Sequence, residues 1–189
     1  ATFASVSIEQ ARLKNIAELG SAEIEMSKYI GESEKQTTQI PTKLNLTEEQ
    51  KKNAVSLNFF SVEWKGIGHV KILFFIFNKF NILERFSITN EAFFRFIYEI
   101  RSTYRDVPYH NWTHAVDVTQ YIAYQLVTAK LVQVFTPIEI FALLISAICH
   151  DAGHGGFSNV YNERAETPLG ILFKNQSVME IHHCTVAIN

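Results

Sequence analysis

Residues 136–149, TPIEIFALLISAIC, decide the fold class. Thr136 can lend its hydroxyl to the free N–H groups of a first helical turn, Pro137 suits the first helical position, and Glu139 can reach back to the cap. From Ile140 to Cys149 apolar residues fall on nearly every side, which predicts a fully buried helix. Similar signals recur upstream. Thr47-Glu48-Glu49-Gln50 has capping-box spacing, and the apolar run Ile72 to Phe77 (ILFFIF) suits a buried helix. Glu91 to Tyr104 reads as an aromatic-rich helix and His110 to Lys130 as a long one. Alternating strand patterns, hairpin dipeptides and internal repeats are missing from the sequence. The sequence therefore predicts an all-α, multi-helical domain over residues 47–189.

The first 46 residues read differently. Residues 8–30 are polar, with a thin apolar stripe at Ile16, Leu19, Met26 and Ile30 that suits a docking helix or a homodimer. Residues 31–46 contain Pro41 and read as a linker. A hydrophobic share of 47% against 19% charged residues is globular composition rather than disorder. The net charge of −2 gives no positive field to recruit nucleic acid. Cys149 and Cys184 make no disulfide framework and read as reduced thiols of a cytoplasmic protein. Ile72 to Phe77 is too short to cross a bilayer, which takes about 20 apolar residues. The first residue is not Met and the last stretch is apolar, so the expectation is a piece of a longer protein whose other parts would supply any membrane association.

Six of the seven histidines follow residue 109, and two of the three aspartates stand beside them. In the first cluster, Tyr109-His110-Asn111-Trp112-Thr113-His114-Ala115-Val116-Asp117, the two histidines are four apart, so on a helix they would share a face. Such a pair can share a metal, or one can bind metal while the other moves a proton. Asp117, one turn on, could orient an imidazole through its second nitrogen. The residues alone equally allow two packed or solvated histidines. The second cluster, His150-Asp151-Ala152-Gly153-His154-Gly155-Gly156, closes the apolar helix. An ionised Asp there costs several kcal/mol unless a cation or strong donors compensate, and imidazole with carboxylate suits Zn²⁺, Mn²⁺ or Mg²⁺. A plain helix stop turned to water is the competing account.

Together the clusters, Y-H-N-x-x-H-A-x-D-V followed about thirty residues later by H-D-x-x-H-x-G-x-x-N, resemble the catalytic domain of class I cyclic-nucleotide phosphodiesterases. Ser177-Val178-Met179-Glu180-Ile181-His182-His183 is similar to that family's S-x-L-E-x-H-H segment, and Phe86-Ser87-Ile88 fits its layout. The likeness is read over about residues 55–189, with no counterpart for 1–54.

The resemblance implies two divalent metals, Zn²⁺ and Mg²⁺ or Mn²⁺, whose shared hydroxide opens the 3′ phosphoester of cAMP or cGMP to give the 5′-monophosphate. It implies that His110 protonates the departing oxygen and that His114, His150 and Asp151 are metal ligands. His154 and Glu180 would hold metal-bound waters, and Tyr109 and Asn159 would lie near the substrate. Ser177 to Glu180 is also a capping box, so Glu180 could instead cap the last helix. His183 alone reads as packed or surface, and Trp112 as core.

Three departures stand out. Ala152 and Gly153 replace a bulky apolar residue and a frequent Asp, and Pro168 should end or kink a helix where the family has Glu-Leu-Ala. The family's further metal Asp and its purine-clamping Gln and Phe come later than Asn189, so these 189 residues are expected to be inactive alone. The rival readings are a non-catalytic regulatory or metal-binding module and another HD-type metal phosphohydrolase.

Overall fold

Ile72, Leu73, Ile76 and Phe77 lose all contact with solvent in the middle of a 13-residue helix, α2 (Ile67–Lys79), and the rest of the fold wraps them. Each such side chain contributes about 1.5–3 kcal/mol on burial. The computed structural model describes residues 46–64 and 66–189. The expected helix over 8–30 and the linker up to residue 45 lie outside the described residues. Leu46 is buried within the core, so the packed domain takes in the last residue assigned to the linker.

Among the described residues the elements are helical throughout. α1 (Glu48–Asn53) precedes a 3₁₀ turn at Ser61–Glu63, and α2 is followed by the single turn α3 (Ile82–Arg85). Next come α4 (Asn90–Thr103), α5 (Trp112–Thr128), a 3₁₀ turn at Leu131–Gln133 and α6 (Pro137–Cys149). Two short helices, α7 (Asn159–Arg164) and α8 (Pro168–Leu172), lead to α9 (Val178–Ile188). No helix of the described residues is long and apolar enough to cross a membrane.

The capping box of α1 forms as its sequence reads, Thr47 N–H to Gln50 Oε1 at 2.9 Å and Gln50 N–H to Thr47 Oγ1 at 3.2 Å. α4 starts on a Thr89 cap and buries Phe93, Phe94, Ile97 and Ile100 at helical spacing. Phe93 meets Phe74 and Phe77 of α2 at centroid distances of 4.9 and 4.4 Å. α5 packs chiefly on α6 and on α2, and α9 reaches back to α6, α7 and α8. The site below forms where the start of α5, the end of α6 and the inner face of α9 converge.

Two expectations need correction. α6 opens as predicted, with the Glu139 carboxylate accepting from the Thr136 N–H and hydroxyl at 2.7 Å each. It is not fully buried, however: Ile140, Leu144, Ala147 and Ile148 are, but Ile138 is 55% and Leu143 36% exposed. Apolar residues around a helix state how much surface it should hide, not what is present to hide it. Pro168 starts a helix rather than breaking one, because Thr167 caps the Gly170 N–H at 3.1 Å and proline needs no partner at the first helical position.

Candidate metal centre

Asn111, not His110, opens α5: its Oδ1 accepts the His114 N–H at 3.2 Å. The expected helix from His110 is thereby corrected, and His110 stands just outside. Two histidines stacked on one helical face are not what forms. The rings lie 5.9 Å apart, edge to face, and His110 lies instead flat on His154 at 4.0 Å and 16°. Tyr109, 64% exposed, covers the His114 ring at 4.6 Å.

The end of α6 shows how backbone carbonyls aim side chains. A carbonyl can only accept, so His150 Nδ1, 2.8 Å from Ala147 O, must be the protonated nitrogen of the neutral ring. Its Nε2 lone pair then points inward, 3.1 Å from Asp151 Oδ2 and 3.3 Å from His114 Nε2. His114 Nε2 stands 3.5 Å from the same oxygen. The same logic governs His183 on α9. Its Nδ1 donates to Ala152 O at 2.8 Å, which leaves Nε2 facing Asp151 Oδ1 at 3.7 Å.

His154 is the exception. The Gly156 N–H donates to its Nδ1 at 2.9 Å, so in the neutral ring the proton sits on Nε2. His154 therefore offers a donor where His150 and His183 offer lone pairs. Gly153, two residues from Asp151, has φ +76°, and a Cβ there would meet His182 Nε2 at 2.8 Å and Val186 Cγ2 at 3.0 Å. The substitution that sequence alone reads as a lost charge is what lets α9 approach this turn.

The electrostatics follow from this crowding. Burial pushes the His114 ring down, with the neighbouring His150 adding to the effect. Burial likewise lowers His183, and with the charges of His110 and His183 it brings His154 to about 4. For His150, burial acts downward but is outweighed by the hydrogen bond its protonated ring would give Asp151, the Ala147 carbonyl and the Asp151 charge, so the net shift is upward. Asp151 is the counterpart: burial raises it, and the bond a protonated His150 would give, with the surrounding imidazoles, brings it below the usual carboxylate range.

The buried Oδ2 of Asp151 has no satisfactory hydrogen-bond donor, and the atoms facing it are ring nitrogens that present lone pairs when neutral. A cation satisfies such a convergence of acceptors. Two overlapping groups have metal-holding geometry, His114 with His150 and Asp151, and Asp151 with His154 and His183, each with its ligand atoms within 4.8 Å of one another. The residues present fit a divalent metal.

The remaining expected residues give no atom to either metal-holding group. Asp117 makes no hydrogen bond or ion pair to a histidine, and its charge is the weakest influence on His114. Backbone carbonyls orient the later histidines instead, His150 and His183. Asn159 caps α9 from another helix: its Oδ1 accepts the Met179 N–H at 2.8 Å, and its Nδ2 holds the Glu180 carboxylate at 3.0 and 3.2 Å. Ser177 has a left-handed backbone and makes no cap, so the alternative reading of Ser177–Glu180 as a capping box does not form and Asn159 takes that place. That hydrogen bond holds Glu180 below the usual carboxylate range. Trp112 packs against the core as expected, and burial pushes the Cys149 thiol up to about 11. His183, expected to be packed or exposed, faces Asp151; its position after a Glu and a second His was the available signal.

The family described as 3′5′-cyclic nucleotide phosphodiesterase matches residues 109–189. The chain is 31% identical over 169 residues to a cGMP-specific 3′,5′-cyclic phosphodiesterase of Drosophila yakuba, a match that covers 88% of this chain and 15% of that relative. It is 34% identical over 140 residues to the protein of the same name from Drosophila ananassae, covering 72% of this chain and 12% of the relative. The crystal structure of the phosphodiesterase domain of a RhoPDE fusion protein from the choanoflagellate Salpingoeca rosetta superposes with a TM-score of 0.68 at 26% identity, over 71% of this chain and 42% of that one. The chain thus carries part of a class I 3′,5′-cyclic nucleotide phosphodiesterase catalytic domain. A match of 169 residues is longer than residues 55–189, so the likeness runs into the first 54 residues and the narrower range read from the sequence is corrected.

Proposed function

We propose that the protein containing this chain hydrolyses the 3′ phosphoester of cAMP or cGMP to the 5′-monophosphate, with residues 47–189 forming the N-terminal portion of its catalytic domain. The observation that carries this is the convergence of His114, His150 and His183 Nε2 within 3.7 Å of one buried carboxylate, Asp151. His114, His150 and Asp151 would hold one divalent cation, and Asp151 also belongs to the group that would hold a second. When bound, a Zn²⁺ and Mg²⁺ (or Mn²⁺) pair neutralises the phosphate charge and acidifies a shared water.

The chain's own residues supply the rest. His110 donates a proton to the departing 3′ oxygen, a step commonly worth about 10²–10⁴-fold. His154, lying flat on His110, limits that ring's rotation and keeps its Nε2–H as a donor to water or phosphate oxygen. Glu180 and Asn159 position α9, and through it His183, while Tyr109 covers the His114 ring on the open side.

Among the described residues Asp151 is the sole carboxylate in either metal-holding group, so these 189 residues assayed alone are expected to be inactive. The test is conversion of cAMP and cGMP by the full-length protein with Zn²⁺ and Mg²⁺, beside the isolated chain. The relatives' names direct the assay to cGMP first. No turnover by the folded full-length protein would favour a metal-binding regulatory module.

A further inference from the structure

α4 gives no ligand to either metal-holding group, yet its last residue and its cap grip the turn that carries Asp151. The Tyr104 hydroxyl donates to Ile148 O at 2.7 Å and accepts the Asp151 N–H at 3.3 Å. One residue earlier, Thr103 O accepts the Gly153 N–H at 3.1 Å. The His150–Asp151 and Ala152–Gly153 peptide groups are therefore anchored to α4. The Tyr104 ring stands edge-on to Trp112, the first residue of α5, at 5.7 Å. One side chain thus joins α4, the start of the helix that carries His114, and the end of the helix that leads into His150 and Asp151. Burial raises the phenol pKa, so the hydroxyl remains a neutral donor.

We propose that Tyr104 is a positioning residue for the metal centre, its hydroxyl setting the orientation of the Asp151 backbone and with it the line of the carboxylate. This rests on the metal-centre reading above. A carboxylate side chain has two rotatable bonds, but the direction in which it leaves the chain is set by the residue's own backbone. Holding that N–H to a phenol, and the Gly153 N–H to a carbonyl, restricts where both oxygens can lie. Ligand sites lose function over displacements of about 1 Å, so a remote hydrogen bond of this kind reaches the metal.

The test is Tyr104→Phe in the full-length protein, which deletes one oxygen and keeps the ring, read by Co²⁺ titration through the visible d–d bands. The expected result is Co²⁺ affinity weaker by about tenfold, the lower end for a ligand's hydrogen-bonding support, with a changed band envelope. Tyr121→Phe, at an exposed tyrosine on α5, should alter neither. Wild-type affinity and spectrum in Tyr104→Phe overturn the proposal, because a merely structural hydroxyl would lower the melting temperature alone. Asp151→Asn separates the two readings. If it too binds Co²⁺ like wild type, the metal centre itself is misassigned; if it loses Co²⁺ while Tyr104→Phe does not, only the brace is wrong. Should Tyr104→Phe fail to fold, hydrogen exchange of the wild-type protein decides. Asp151 and Gly153 amides as slow as those in the middle of α2 support the brace, and fast exchange at either overturns it.

Discussion

His150 and His154 stand four residues apart, one on each side of the same turn, and differ in which backbone group faces Nδ1. At His150 it is the Ala147 carbonyl, and at His154 the Gly156 N–H. The first leaves a lone pair at Nε2 and the second a proton. Identical side chains with a shared neighbour, Asp151, thereby become a metal ligand and a hydrogen-bond donor. The two groups built on Asp151 are not equivalent halves: the first can close on a cation with every member, and the second has one member turned the other way.

The hardest blow to that comparison is Asp151→Asn, since both groups share its carboxylate. Metal should be lost from both, and turnover by the full-length protein should fall by several kcal/mol of transition-state stabilisation, on the order of 10⁴-fold or more. Retention of one metal equivalent would show that the groups are independent. His110→Ala should leave metal content unchanged and slow turnover by about 10³-fold; loss of metal would mean that His110 and His114 have exchanged roles.

The comparison itself is sharpened by pairing His150→Gln with His154→Gln. Metal affinity should fall at least 100-fold in the first and about tenfold in the second, and equal losses would break the tautomer argument. The smallest expected effect is on pH stability. The folded His154 pKa of about 4 lies below the ordinary imidazole value. As pH falls, the unfolded chain therefore binds a proton first. Stability is complete above about pH 6.5 and declines from there to about pH 4. The share is on the order of 1 kcal/mol, or roughly 2–4 °C. The raised His150 acts oppositely and only at higher pH. Melting curves of the metal-free protein should be flatter across this window in His154→Gln, and an unchanged slope would remove His154 from the account.

The helices that carry the core were legible because their signals are local. Thr136-Pro137-Ile138-Glu139 announces α6, and the apolar run Ile72 to Phe77 needs no partner to be read as interior. Motif spacing also found His114, His150 and Asp151, which the fold brings together. What sequence reasoning missed was set by backbone atoms or distant chain. No side chain encodes Ala147 O or Ala152 O as the orienting partners of His150 and His183. Asn111 took over the start of α5 because an Asn cap competes with continuation of the helix through His110. Tyr104 and His183 act across 47 and 32 residues of sequence from Asp151, beyond any periodic pattern.

The borrowed cap on α9 has a consequence for the order in which the molecule assembles. An 11-residue helix is marginal in isolation, and this one takes its cap from Asn159, which is the first residue of α7. α9 therefore gains its support only once α7 has docked, across a loop closure of some 20 residues whose entropy must be met first. His183 rides on α9, so its approach to Asp151 depends on α7 as well as on α6.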